Sequence, residues 1–159
     1  MRNAQNSSSS VWNDQTTIGE YKTIFRPIPS IQVKTPRLFR VIVPVTHIEK
    51  AVVFYTALFD LEGRRVSSGR HYFDLGGTIL ACYDAKADGD DRVPPPNPEH
   101  IYIAVEDLEG TYEKAKMAGP MEMDDSIKKR PWGERSFYLK DPFGNPLCFV
   151  DDRTMFTGV

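Results

Sequence analysis

The sequence predicts an α+β domain in which one strand–helix–strand–strand module is used twice. Three observations lead there. A β-branched run, LFRVIVPV at 38–45, reads as a buried strand and is followed at once by apolar residues at helical spacing. The same succession returns 60 residues later, where RVIVPVTHIEKAVVFY (40–55) lies over HIYIAVEDLEGTYEKA (100–115). Val41 then falls on Ile101, Val43 on Ile103, Val45 on Val105 and Ile48 on Leu108. In each half a pair of strand-like runs around a turn follows the helix.

The elements follow in order. Residues 1–20 are polar and include Ser7–Ser10, so they read as a tail. Residues 21–37 carry apolar side chains together with Pro27, Pro29 and Pro36, which suits an extended arm and excludes a helix or central strand. The domain proper is expected over 38–152, with modules at about 38–84 and 100–152, a linker at 85–99 and a tail at 153–159. Thr46, three residues before Glu49, has the spacing of a capping box. Ile48, Val52, Tyr55 and Phe59 give the helix over 47–59 its apolar stripe, and Gly63 ends it. RHYFDL and TILACY flank Gly76-Gly77, the signature of a tight hairpin whose turn needs positive φ. The acidic and then proline-rich stretch 85–99 can only be a loop, and residues 88–91 in it are expected in solvent. HIYIAV (100–105) is a strand, Asp107 caps a helix over roughly 107–118, and Gly119-Pro120 stops it. RSFYLK (135–140) and PLCFV (146–150) close the second module around the turn DPFGN. A short extra strand has room in each half.

Composition excludes several functions. With 20 basic against 22 acidic residues, the net charge of −2 gives no global pull toward nucleic acid. No apolar run approaches the roughly 18–20 residues that span a bilayer, and no apolar stretch near the N-terminus suggests export. The expectation is a cytoplasmic protein whose Cys82 and Cys148 are thiols.

Three segments together carry a family resemblance. PVTHIEKAVVFYTALFDLEG (44–63), HIYIAVEDLEGTYEKAKMAG (100–119) and RPWGERSFYLKDPFGNPLCFVDD (130–152) resemble the vicinal oxygen chelate superfamily, which includes glyoxalase I, extradiol dioxygenases and the fosfomycin- and bleomycin-resistance proteins. The resemblance covers about 38–152. It implies two βαβββ modules curling around a shared cavity, often completed in a homodimer. It also implies four inward positions that hold a divalent metal in many relatives. Here those positions fall on Arg40, near Leu80 (Cys82 in a register shifted by two), on His100 and on Cys148. Arg40 is a permanent cation, Leu80 has no lone pair, and one His with one Cys leaves a shell incomplete. The expectation is a site without metal or other cofactor.

Strand alternation supplies the remaining candidates. Arg40, Ile42 and Pro44 should face away from the first helix, and His100, Tyr102 and Ala104 away from the second. Cys148 should sit inward beside Tyr138, with Trp132 and Arg135 at the rim. In the first hairpin either His71 or Tyr72 faces inward, with His71 preferred. Aromatic walls with a few polar groups suit a small organic ligand, and Arg40 suits an anionic one. Lys128-Lys129-Arg130 reads as a solvated run. The reading is a small-molecule binder acting as a homodimer, without nucleic-acid or membrane partners. The alternatives are a metal-dependent enzyme of the same superfamily, an enzyme using His100 as acid or base, and a non-catalytic interaction domain.

Overall fold

The computed structural model describes residues 35–158. The expectations for the tail and most of the arm therefore lie outside the described residues. The first module runs β1 (Arg40–Pro44), α1 (Ile48–Phe59), β2 (Arg64–Ser67), β3 (Arg70–Leu75), β4 (Thr78–Tyr83). The second runs β5 (Ile101–Val105), α2 (Leu108–Ala118), β6 (Glu122–Met123), β7 (Lys128–Lys129), β8 (Arg135–Lys140), β9 (Pro146–Asp151), with a 3-10 turn at Asp152–Thr154. The first sheet has the order β1-β4-β3-β2, and the second the order β5-β9-β8-β6 with β7 also on β8. In each, the strand before the helix pairs in parallel with the last strand of its module, and the remaining pairs are antiparallel. This is the α+β architecture of two βαβββ modules, and β2 and β6 are the short extra strands.

Local signals explain most boundaries. Asp107 caps α2 by accepting from the Gly110 N–H at 2.9 Å, and Gly119 ends it in the left-handed region at φ 78°. Gly76 and Gly77 take φ 69° and 100°, and Asp74 steadies that turn by accepting from the Gly77 N–H at 2.6 Å. The α1 ends differ from expectation. His47, not Thr46, is the N-cap, its Nδ1 accepting from the Lys50 N–H at 3.3 Å. The C-cap is Asp60 at φ 56°, before Gly63 is reached. An aspartate tolerates that conformation better than most side chains do. The stretch 88–91 is not wholly solvated either. Asp88 is half-buried and accepts from the Ser67 hydroxyl, the Gly69 N–H and the Arg70 Nε at 2.6, 2.8 and 2.7 Å. It thereby straps the β2–β3 turn, where a Cβ on Gly69 would collide with the Asp84 carbonyl.

The helix-bearing faces of both sheets share one core. Val43, Phe73, Leu80 and Cys82 come from the first sheet, Phe137, Leu139, Leu147 and Phe149 from the second, and Phe54, Tyr55, Leu58 and Leu108 from the helices. Phe137 and Phe149 stack at 5.2 Å between ring centres, and Phe149 reaches Phe59 of α1 at 6.4 Å. The modules also meet through polar groups. Asp141 is fully buried in the β8–β9 turn and accepts from the Tyr55 hydroxyl at 2.7 Å. Asn145 donates to the Pro44 carbonyl at 2.7 Å and Asn97 to the Ile42 carbonyl at 3.0 Å, so these two carbonyls on the free edge of β1 are satisfied.

At the end of β9, the buried Asp151 accepts from Arg153 at 2.9 Å and from Arg135 at 2.8 Å, and Arg135 also reaches Glu109 of α2. Arg153 first, and Arg135 after it, hold the Asp151 carboxyl down at about 2. A carboxyl depressed in the folded state stabilises above its unfolded pKa and loses that contribution as pH falls through the folded value. Thermal stability of the wild type should therefore drop between about pH 4 and pH 2. An Asp151→Asn variant should lose less over that window. Equal slopes for the two proteins would refute the assignment.

Candidate functional site

The pairing registers decide which side chains share a face. In the first sheet, Val41 pairs with Leu80 and Val43 with Cys82, so Leu80 and Cys82 lie with the valines on the core side. The helix-free face instead carries the row Ile42–Ala81–Tyr72. In the second sheet the corresponding row is Tyr102–Cys148–Tyr138. Ala81 is thus the positional equivalent of Cys148. The second of the four positions named above belongs to Ala81, not to Leu80 or Cys82.

Other candidates sort on the same logic. His71 faces the core, where it is buried, with Nε2 at 2.8 Å from the Glu62 carbonyl and Nδ1 unpartnered. Tyr72 is the neighbour that faces outward, so the preference for His71 is corrected. Arg135 also leaves the set. It alternates with Ser136 and Tyr138 and points to Asp151 and Glu109 on the helix side. Trp132 is half-exposed on the β7–β8 loop, with its indole N–H donated to Glu134 at 2.6 Å. Arg40 is exposed and forms no ion pair with Asp74. Its guanidinium lies over the Phe39 and Tyr72 rings at 4.9 and 4.8 Å.

Four candidates do gather on the second sheet. The His100 ring lies 4.7 Å from Tyr138 and 6.4 Å from Tyr102, centre to centre, and Cys148 is buried beneath them in the same row. The neighbouring Tyr102 hydroxyl, with burial second, pushes the Tyr138 phenol up to about 12. Burial pushes the Cys148 thiol up to about 11. Both groups are neutral at physiological pH, and Cys148 is no ready nucleophile. Cys82 and Cys148 are both free thiols.

Sequence reasoning missed the strongest group here. Arg130, placed in a solvated run, is half-buried. Its Nε donates to the Ser136 hydroxyl at 2.8 Å and its Nη2 to Asp124 at 2.9 Å, and its Cζ lies 4.3 Å from the Tyr138 ring centre. Asp124 also accepts from the Tyr138 N–H at 3.1 Å. A guanidinium fixed by a carboxylate, a hydroxyl and an aromatic face is pre-organised for a planar anion. Counting by twos back from Tyr138 finds Ser136. Nothing in the local pattern reveals that a loop folds Arg130 back onto the same face.

A divalent metal would need several neutral or anionic donors at these positions. Across both helix-free faces the four positions are filled by Arg40, Ala81, His100 and Cys148. That set contains one imidazole, one neutral thiol, one aliphatic side chain and one permanent cation. Among the described residues, no group of three His, Cys, Asp or Glu side chains is placed to share an ion. The donor set does not fit the metal. No helix among the described residues is long and apolar enough to cross a membrane.

Solved structures share this fold. A glyoxalase-related enzyme from Fulvimarina pelagi superposes with a TM-score of 0.62 at 15% identity, over 75% of this chain and 90% of that one. A glyoxalase/bleomycin resistance protein/dioxygenase from Nocardioides gives 0.56 at 22% identity, over 81% and 89%. One of the same description from Alicyclobacillus acidocaldarius gives 0.55 at 27% identity, over 76% and 96%. No curated protein matches the sequence at a significant level. The profile of the glyoxalase/bleomycin resistance protein/dioxygenase superfamily matches residues 37–149, and with the paired modules in place the chain belongs to that superfamily.

Proposed function

We propose that this protein binds a small anionic or aromatic molecule, without a metal, on the helix-free face of its second module. The observation that carries the reading is Arg130, held by Asp124 and Ser136 against Tyr138, with His100 and Tyr102 beside it. Arg130 supplies a fixed cation for a carboxylate or phosphate, and the two tyrosines supply stacking surface. A second copy of the chain is the natural cover. The first sheet presents Arg40, Ile42 and Tyr72 on its own helix-free face, and the exposed Ile42 and Tyr102 leave both faces apolar at their centres.

The test is a thermal-shift panel of aryl carboxylates and aryl phosphates, followed by calorimetric titration of the best ligand. Arg130→Ala should weaken that ligand about 10–100-fold, the value of a charged hydrogen bond. Dialysis against EDTA should leave the affinity unchanged. Binding that requires a stoichiometric metal, or that ignores the Arg130 substitution, would refute the reading. Light scattering should show a dimer, and Tyr102→Glu should shift it toward monomer.

A further inference from the structure

The two halves of the domain are built alike, but the seams where each module meets the other are not filled alike. In the first module Phe54 of α1 is buried, its ring 5.0 Å from that of Tyr55, and the five-residue DPFGN turn packs in, with Asp141 on Tyr55 and Asn145 on the edge of β1. Sixty residues on, the position of Phe54 is occupied by Lys114. The turn that would match DPFGN is the two-residue Gly76-Gly77. A lysine amine does not stay buried where a phenyl ring does, and two glycines fill nothing. The second seam is consequently a cavity of about 560 Å³. Its floor is Ile103 and Val105 of β5, its walls are Phe59, Leu75 and Phe149, and Lys114 stands in its lining. It borders the Arg130 face at Tyr102 and contains none of that face's other polar groups.

The lining states what would fit. A largely apolar trough, with Thr78, Tyr102 and Thr111 as neutral polar members and one ammonium group, suits an amphipathic monocarboxylate, its chain on β5 and its head on Lys114. At present Lys114 pairs with Asp60 at 3.2 Å, the lysine side chain being 42% and the aspartate 82% exposed. Such a pair is weak and easily exchanged. We infer that this seam is a second ligand site, which takes a medium-chain aliphatic carboxylate whose head group replaces Asp60 on Lys114.

The probe is dodecanoate, titrated into the full chain by calorimetry below its micelle concentration, with dodecanol as the uncharged comparison. Saturable binding of one dodecanoate per chain is expected. Lys114→Gln should weaken dodecanoate by roughly five- to tenfold while leaving dodecanol within about twofold. Asp60→Asn, which keeps a side chain tolerant of the left-handed cap, should tighten dodecanoate by removing its competitor. Lys114→Phe restores the ring present in the other seam and should abolish both ligands. Ile103→Trp is the independent plug should Lys114→Phe not fold. The inference fails if the wild type shows no saturable binding, or if both plugged variants bind as the wild type does. It fails equally if Arg130→Ala, and not the plugs, removes binding, since that would place the fatty chain on the other face.

Discussion

Replacing Asp141 with alanine is expected to destabilise the protein by about 3–5 kcal/mol, the range for removing one partner of a buried charged network. Asp141 has no solvent exposure and accepts four bonds besides its backbone pairing. These come from the Tyr55 hydroxyl at 2.7 Å, the Phe143 and Asn145 N–H groups at 2.9 and 2.8 Å, and the Asn145 amide at 2.8 Å. Alanine would remove the acceptor of all four, and the Tyr55 hydroxyl and the Asn145 N–H lie on fully buried residues. Asn145 would also lose the contact that aims its amide at the Pro44 carbonyl. In the wild type, burial first and the Asp141 charge second raise the Tyr55 phenol well above the ordinary range, and the burial persists in the variant, so Tyr55 stays neutral there. Tyr55→Phe should cost much less, about 1–2 kcal/mol, since Asp141 keeps its other three donors. Urea unfolding of the two single variants and the double variant measures the coupling. A loss below about 1 kcal/mol in Asp141→Ala would show that the turn does not join the modules.

Phe149→Ala is expected to be comparably severe, about 3–5 kcal/mol, as for other buried phenylalanines. Phe149 is fully buried, stacks on Phe137 at 5.2 Å and reaches Phe59 of the other module at 6.4 Å. Its removal opens a void at the point where the two modules share their core, so both should melt together at a lower midpoint. Phe149→Leu should recover most of the loss, because a branched aliphatic side chain refills much of the volume. Because Phe149 also walls the cavity in the second seam, Phe149→Ala should alter dodecanoate binding, whereas Asp141→Ala, in the filled seam, should not. If the two modules of Phe149→Ala unfold in separate transitions, the common core is not what couples them.

Much of the architecture was legible in the chain. Strands and helices follow from the spacing of Val41, Val43 and Val45 and of their counterparts Ile101, Ile103 and Val105. The Gly76-Gly77 turn and the Asp107 cap were legible because each depends on a few adjacent residues. The α1 caps were misplaced because Thr46 and His47 both offer a side-chain acceptor, and the choice between them depends on how the strand enters the helix. His71 and Tyr72 were confused for a related reason. A shift of one residue exchanges the two faces of a strand, and only the pairing with β4 fixes which face is which. Arg130 could not be found by periodicity, since it acts from a loop.

Local pattern and a repeat offset by 60 residues were enough to specify the paired modules, their order and the set of side chains available for chemistry. Tertiary structure decided three things: that Ala81 stands where Leu80 was expected, that Arg130 joins Tyr138 and His100, and that one seam is plugged while its twin is open. Each of these depends on contacts between residues far apart in the chain. Register, loop return and packing between modules leave no trace in the spacing of neighbours.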